Sequence, residues 1–422
     1  MSDAGEALWL EALGRVLDRS HLFQGDELAG AVGAAMAPLG IRTVLYLVDE
    51  EQRDLRIVPQ DARPVAGPLS LEASLPGRAF RLVETVLMAG GDGWWVPVVN
   101  GTDRLGVLGF TFADDVDRHD DLTRRRCQTI AGLVGHLITV TAAKGDYLMQ
   151  VRRARPMSDG AELLSQILPP MTVSCKRLTL SAVLEPRYDI GGDGYDYALD
   201  GEFARMAIFD GVGRGLRAGL AYAVAVTATR AARRAGHDLH EQVRAADAAL
   251  LEQFDDARFV TAVLGELNMA TGVLRYINAG HPAPLLLRGG KFIRELPGGR
   301  RMPLGLNDTR ERVGTEQLEP GDRLLFYTDG VIEARDANGA MFGVEALIDH
   351  AERHAADGLP APEMLRRLAR AVGAHHSGPA ADDTTLVLTE WSPEAVHRSI
   401  PTLRHPGDGP HLPRGDEGRP DR

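Results

Sequence analysis

The chain has 422 residues, more than one hydrophobic core usually serves, so two or three folded units are expected. Its 47 Lys and Arg against 59 Asp and Glu give a formal net charge of -12, which repels bare phosphate backbone and argues against nucleic acid as a partner. The two cysteines, Cys127 and Cys175, have no partner at metal-ligand spacing, and no segment approaches the ~18 apolar residues of a membrane span, so a cytoplasmic protein without disulfides or a membrane anchor is expected.

Residues 1–140 read as a mixed α/β unit. Helices are predicted over Ala7–Val16 and Glu27–Ala37, and a strand over Thr43–Val48. Trp94–Val99 and Leu105–Phe112 are predicted to pair as a hairpin around Asn100-Gly101, a dipeptide that supplies positive φ. From Asp121 the apolar spacing changes to that of a helix, with Ile130, Leu133, Val134, Leu137 and Ile138 on one face. Residues 141–176 form a helical linker with basic Arg152, Arg153 and Arg155; its second helix stops before Pro169-Pro170, which cannot continue it. Leu178–Leu184 alternates as a half-buried strand, and Phe203–Phe209 is a denser apolar run. Leu220–Ala232 is an Ala-rich helix. Val260–Leu267 with Val273–Asn278, and Leu285–Leu287 with Phe292–Leu296, read as hairpins. Arg323–Thr328 and Thr385–Glu390 are strands, with two helices between them inside Gly343–Gly373. Many antiparallel strands with a few long helices predict an α+β sandwich over 177–390. The tail, 391–422, is rich in Pro, Gly, Arg and Asp and is expected to be disordered.

Two segments echo each other. Met206-Ala207-Ile208-Phe209 runs into Asp210-Gly211, and Leu324-Leu325-Phe326-Tyr327-Thr328 runs into Asp329-Gly330. A lone Asp-Gly is ordinarily a hairpin turn. Neither copy is followed promptly by a pairing strand, so a turn does not explain them. Gly191-Gly192-Asp193-Gly194-Tyr195-Asp196 and Asp382-Asp383-Thr384-Thr385 are further acidic clusters beside strand ends. Carboxylates gathered in one pocket repel each other unless a cation compensates, and hard divalent ions take oxygen ligands. A metal site is the economical reading, with the Gly211 carbonyl free of side-chain obstruction.

GGDGYD at 191–196, FDGVGRG at 209–215, NAGHPAPLLL at 278–287, FYTDGVIEA at 326–334 and DDTTLVL at 382–388 together resemble the SpoIIE-like branch of the metal-dependent (PPM, type 2C) serine/threonine protein phosphatases. The resemblance covers about 177–390, with the motifs in family order. It implies a PPM-type antiparallel β-sandwich flanked by helices, and two Mn2+ or Mg2+ ions at Asp193, Asp210, the Gly211 carbonyl, Asp329 and Asp382. It implies hydrolysis by metal-activated water, with a phosphorylated STAS-type anti-anti-sigma protein as substrate in a partner switch. Two other functions fit the same motifs: a catalytically silent phosphoprotein-binding regulator, and a small-molecule phosphohydrolase. His281, in a turn before proline, is read as structural. Asp196 and Asp383 are read as acids standing behind the ligands, and Arg187, Arg214 and Arg217 as candidate phosphate contacts. Residues 1–140 resemble a GAF-like sensory domain through LPGRAF at 75–80, WVPVV at 95–99 and LGVLG at 105–109. No signature fixes its ligand, so an unknown small molecule and a homodimer are the expectations for this half. The segment 163–170 resembles the helix preceding the catalytic domain in partner-switching phosphatases.

Overall fold

The computed structural model describes residues 3–60, 67–113, 120–185, 188, 189, 191–256, 258–310, 312–376 and 382–401. The N-terminal unit opens with α1 (Asp3–Ser20) and α2 (Leu28–Met36), followed by β1 (Ile41–Val48), β2 (Asp54–Ile57) and β3 (Leu69–Ser70). Then come α3 (Leu75–Leu82), β4 (Val86–Leu87), β5 (Gly93–Asn100), β6 (Asp103–Phe112) and the long α4 (Asp121–Ala142). The six strands make one sheet in the order β3-β2-β1-β6-β5-β4, with antiparallel neighbours throughout. Alternation along each strand supplies two cores. Leu45, Leu47, Val96, Val98, Leu108 and Phe110 face α1, α2 and α4, whereas Tyr46, Val48 and Val107 face Ala79 and Phe80 of α3. The predicted hairpin is present, with Asn100 paired to Asp103 and Gly101 at φ +60 in the turn.

Two short helices, α5 (Tyr147–Arg152) and α6 (Asp159–Ile167), lead to the second unit. Residues 141–176 are therefore not all helix, because β7 (Thr172–Cys175) lies within them and pairs with β8 (Leu178–Glu185). Then follow β9 (Asp193–Asp200), β10 (Phe203–Gly211), α7 (Leu216–Arg234), α8 (Leu239–Gln253), β11 (Val260–Asn268) and β12 (Val273–Ala279). Strands β13 (Leu285–Arg288), β14 (Lys291–Glu295), β15 (Arg300–Arg301), β16 (Gly314–Gln317) and β17 (Arg323–Tyr327) come next. The unit finishes with α9 (Asp329–Glu333), α10 (Gly343–Ala356), α11 (Ala361–His375), β18 (Thr384–Glu390) and α12 (Pro393–His397).

These strands make two sheets, β15-β12-β11-β10-β9 with β16 on β12, and β14-β13-β17-β18-β8-β7. All pairings are antiparallel except the two-residue β12–β15 contact. The layers follow from side-chain alternation. On β10, Ala204, Met206 and Ile208 point into the core between the sheets, and Ala207 and Phe209 point out to α7 and α8. On the far sheet, Leu325, Tyr327, Leu386 and Leu388 pack against α10 and α11. The result is the predicted antiparallel sandwich with helices on both outer faces. Helix α8 was not anticipated from the sequence; it opens on a capping box in which Asp238 and Glu241 satisfy each other's backbone N–H groups. The expectation of disorder from 391 onward is corrected over 392–401, where α12 buries Ala395 and the Trp391 indole donates to the Met269 carbonyl at 3.1 Å. Residues 402–422 lie outside the described residues.

Candidate metal centre at the sandwich edge

Four acidic positions meet at one end of the sandwich because four strands begin or end there. The β9–β10 ladder sets Asp193 directly opposite Asp210, and the β10–β11 ladder sets Thr261 on the other side of Asp210. From the facing sheet, β17 ends at Tyr327 and Asp329 opens α9, while Asp382 and Asp383 precede β18. Hydrogen bonds tie the two sheets together at this edge. The Thr385 hydroxyl donates to Asp193 Oδ2 at 2.9 Å. Asp383 Oδ2 accepts the backbone N–H groups of Gly191 at 2.6 Å, Gly192 at 2.9 Å and Asp193 at 3.4 Å. Thr328 and Thr385 bond each other, the Thr385 N–H donating to the Thr328 hydroxyl at 3.0 Å.

Glycine is required where the backbones close on each other. A Cβ on Gly330 would stand 1.9 Å from the Asp383 carbonyl oxygen, and one on Gly192 would stand 2.4 Å from the Gly211 carbonyl oxygen. The second contact puts the Gly211 carbonyl against the loop that delivers Asp193.

The electrostatics follow from this crowding. Burial raises the Asp193 carboxyl well above its ordinary value, and the neighbouring Asp210 and Asp383 raise it further. Asp210 is likewise raised by burial, then by Asp329 and Asp382, and Asp329 is raised by burial, then by Asp382. Several carboxylates disfavour one another's charge in a pocket whose donors are all oxygen, the arrangement that a hard divalent cation relieves. Among the described residues no group of three carboxylate, imidazole or thiolate side chains already closes on one point, so these acids stand as neighbours and not as a finished coordination shell. A cavity of about 530 Å3 opens beside Asp382, Gly330 and Thr384.

The remaining sequence candidates separate clearly. His281 is buried, its Nδ1 lies 2.7 Å from the Thr261 hydroxyl, and burial pushes its pKa down to about 3, so it stays neutral behind Asp210's strand. Asp196 points away from the cluster and is clamped by Arg230 at 2.8 Å and Arg233 at 2.7 Å. Asp383 spends its Oδ2 on the 191–193 backbone. Arg214 lines the cavity, Arg217 is 78% exposed, and Arg187 lies outside the described residues. The hydroxyls of Thr328 and Thr385 were missed, although both sit inside the quoted motifs; in strands of high β propensity a threonine reads as packing.

Residues 200–392 match the family model described as Stage II sporulation protein E (SpoIIE). This part of the chain is similar to the SpoIIE family. It is similar to the phosphoserine phosphatase RsbU of Bacillus subtilis, with 25% identity over 166 residues, covering 39% of this chain and 49% of the relative. It is similar to protein IcfG of Synechocystis, with 26% identity over 222 residues, covering 46% of this chain and 35% of the relative. The chain thus spans less than half the length of these relatives. Among solved structures, the RsbU and RsbW domains of Rv1364c from Mycobacterium tuberculosis match with 29% identity and a TM-score of 0.44, over 51% of this chain and 62% of that one. The matched segment holds Asp210, Asp329 and Asp382 and begins at the last residue of β9, after Asp193.

Proposed function

We propose that the SpoIIE-like domain is a metal-dependent serine/threonine protein phosphatase. The observation that carries this reading is the group formed by buried Asp193 and half-buried Asp210 and Asp329, with Asp382 beside them, drawn from both sheets to one edge and each of the first three held above its ordinary pKa by burial and by its neighbours. Asp193, Asp210, the Gly211 carbonyl, Asp329 and Asp382 would hold two divalent ions, Mn2+ or Mg2+. Such ions supply charge neutralisation at the phosphoryl oxygens and a water acidic enough to attack phosphorus at neutral pH. The chain's own part is positional: Thr385 orients the Asp193 carboxylate, Asp383 fixes the loop before it, and Gly330 lets α9 start flush against the Asp383 backbone.

The names of relatives that are phosphoserine phosphatases support a phosphoserine or phosphothreonine substrate. The reading extends to a phosphorylated STAS-type anti-anti-sigma protein, with the GAF-like N-terminal unit controlling the rate, alone or with a small ligand, in a cytoplasmic homodimer. Among the described residues no helix is long and apolar enough to cross a membrane. The decisive experiment measures hydrolysis of p-nitrophenyl phosphate and of a panel of phosphorylated anti-anti-sigma proteins, with manganese and after chelation. Turnover is expected only with metal; undiminished turnover after exhaustive chelation would overturn the mechanism. Rapid hydrolysis of a small phosphate ester with none of the phosphoproteins would favour a small-molecule phosphohydrolase, and no turnover at all a silent binding module.

A further inference from the structure

The turn joining β1 to β2 belongs to the N-terminal unit yet stands in the wall of the cavity beside Asp382. Its shape is fixed locally. Asp49 Oδ1 accepts the backbone N–H groups of Arg53 at 2.7 Å and Asp54 at 3.3 Å. Gln52 takes φ +50, a left-handed conformation that costs a residue with a side chain and persists only where its surroundings enforce it. Those surroundings come from both units. Gln52 Oε1 accepts from Arg104 at 3.1 Å, and its Nε2 donates to the Met171 sulfur at 3.2 Å. The Glu50 N–H donates to the Arg152 carbonyl at 3.2 Å.

Held in this way, the turn presents Glu51 and Arg53 to the same cavity that Arg155, Glu185, Arg214 and Asp382 line. At about 530 Å3 the space is larger than a phosphoryl group needs, so part of it is available to whatever carries the phosphate. On the N-terminal side of the cavity two guanidinium groups share one carboxylate: Glu51 lies 3.2 Å from Arg53 and 3.6 Å from Arg155. Arg155 is held further by Asp189 at 2.6 Å, from outside the cavity lining, whereas Arg53 is 63% exposed. Within the lining, Arg53 and Arg155 stand with Glu51 and Glu185, and Arg53 is the more exposed of the two cations, at 63% against 47%. A guanidinium presents a planar fork that matches a carboxylate bidentately.

We propose that the 49–53 turn is the outer wall of the cleft that receives the phosphorylated segment, and that Arg53 is a specificity-determining residue reading an acidic side chain near the phosphorylated one. The inference rests on the phosphatase reading above. The N-terminal unit then supplies part of the substrate site directly, in addition to any control it exerts.

The test uses the full chain with manganese and two synthetic phosphoserine peptides that differ only in whether aspartate or lysine flanks the phosphoserine. The wild type should favour the aspartate peptide by about tenfold in kcat/KM, equivalent to about 1.4 kcal/mol. Arg53→Ala should bring the ratio close to one through KM, Arg53→Glu should invert it, and Arg53→Lys should retain part of it. An unchanged ratio in Arg53→Ala and Arg53→Glu, with thermal unfolding like that of the wild type, overturns the proposal. Hydrolysis of p-nitrophenyl phosphate separates the two kinds of failure. If the wild type cleaves neither it nor the peptides, the phosphatase reading falls and takes this one with it; if it cleaves them with unaltered selectivity among variants, only the docking role of Arg53 falls.

Discussion

At the residue scale, the pairing of Asp193 with Asp210 across the β9–β10 ladder is the costly feature of the molecule, since like charges set directly opposite each other on a sheet are destabilising. Both carboxyls are raised by burial and by neighbouring acids, so a bound cation would favour their ionised forms. Asp210→Asn and Asp329→Asn are accordingly expected to keep the fold, to unfold in chelator at or above the wild-type temperature, and to lose turnover by more than about 100-fold. That bound follows because outer partners alone typically cost about 10–100-fold. Near-normal rates in either variant, at saturating manganese, would show the site to be elsewhere. Thr385 is such an outer partner, through its 2.9 Å hydrogen bond to Asp193. Thr385→Val should therefore raise the manganese concentration for half-maximal activity by about 10–100-fold while leaving the saturated rate closer to wild type. A metal titration of the variant reads this directly, and an unshifted midpoint would reduce Thr385 to a packing residue.

At the element scale, strand ends deliver the carboxylates and glycines let those ends approach. Gly330→Ala would push a methyl against the Asp383 carbonyl, 1.9 Å from where its Cβ must stand, and neither partner is a flexible side chain. The variant should lose about 1–3 kcal/mol of stability, as overpacked sites do, together with activity, since Asp329 sits at the neighbouring position. Thermal unfolding and turnover measured together check this; a stable, active Gly330→Ala protein would refute the close approach. These elements also show how far the sequence could be read. The strands that lead to Asp210 and Asp329 were legible because each is a dense apolar run that stops at or just before Asp-Gly. The helix 239–253 was not, because its apolar residues are diluted by Ala, Glu, Gln and Arg, and its start is marked only by the Asp238–Glu241 capping box. Asp193 was placed only beside a strand end; the ladder to Asp210 makes it the first residue of a strand, a relation that exists only once β9 and β10 pair. The burial of Arg366 and Glu363 was likewise invisible, because a charged helix face ordinarily reads as solvated, and only the docking of the two units covers it.

At the scale of the whole molecule, that covered face decides how the units are joined. Glu363, in the first turn of α11, is fully buried and accepts from Arg366 at 2.8 Å and Arg367 at 3.0 Å within the second unit. Arg81 and Arg104 of the N-terminal unit approach it at 3.7 and 3.9 Å. Arg366 and Arg370 in turn reach Glu72 of the N-terminal unit, both at 2.6 Å. Further along the same helix, Ala369, Val372 and Gly373 line the cavity beside Asp382, so the junction and the candidate site share one rigid element. Burial would raise the Glu363 carboxyl, but the hydrogen bond and charge of Arg366, with Arg104 and Arg367, outweigh it and hold the group below its ordinary value. A lowered carboxylate pKa contributes stability that is fully present above the unfolded value, about 4.3 for glutamate, and is lost as pH falls through the folded value. Glu363→Ala removes the acid at any pH and leaves Arg366 and Arg104 buried without it, which should cost about 3–5 kcal/mol. Between pH 7 and pH 4 the stability gap between wild type and Glu363→Gln should narrow only at the acid end, where the glutamate of the unfolded chain takes up a proton that the folded carboxylate still refuses. Hydrogen exchange should report the loss first in α11 and in the 49–53 turn, before the strands of either core. An equal pH dependence in wild type and variant, or exchange that opens both units together, would mean that the junction is held by its apolar contacts and that Glu363 is merely tolerated there.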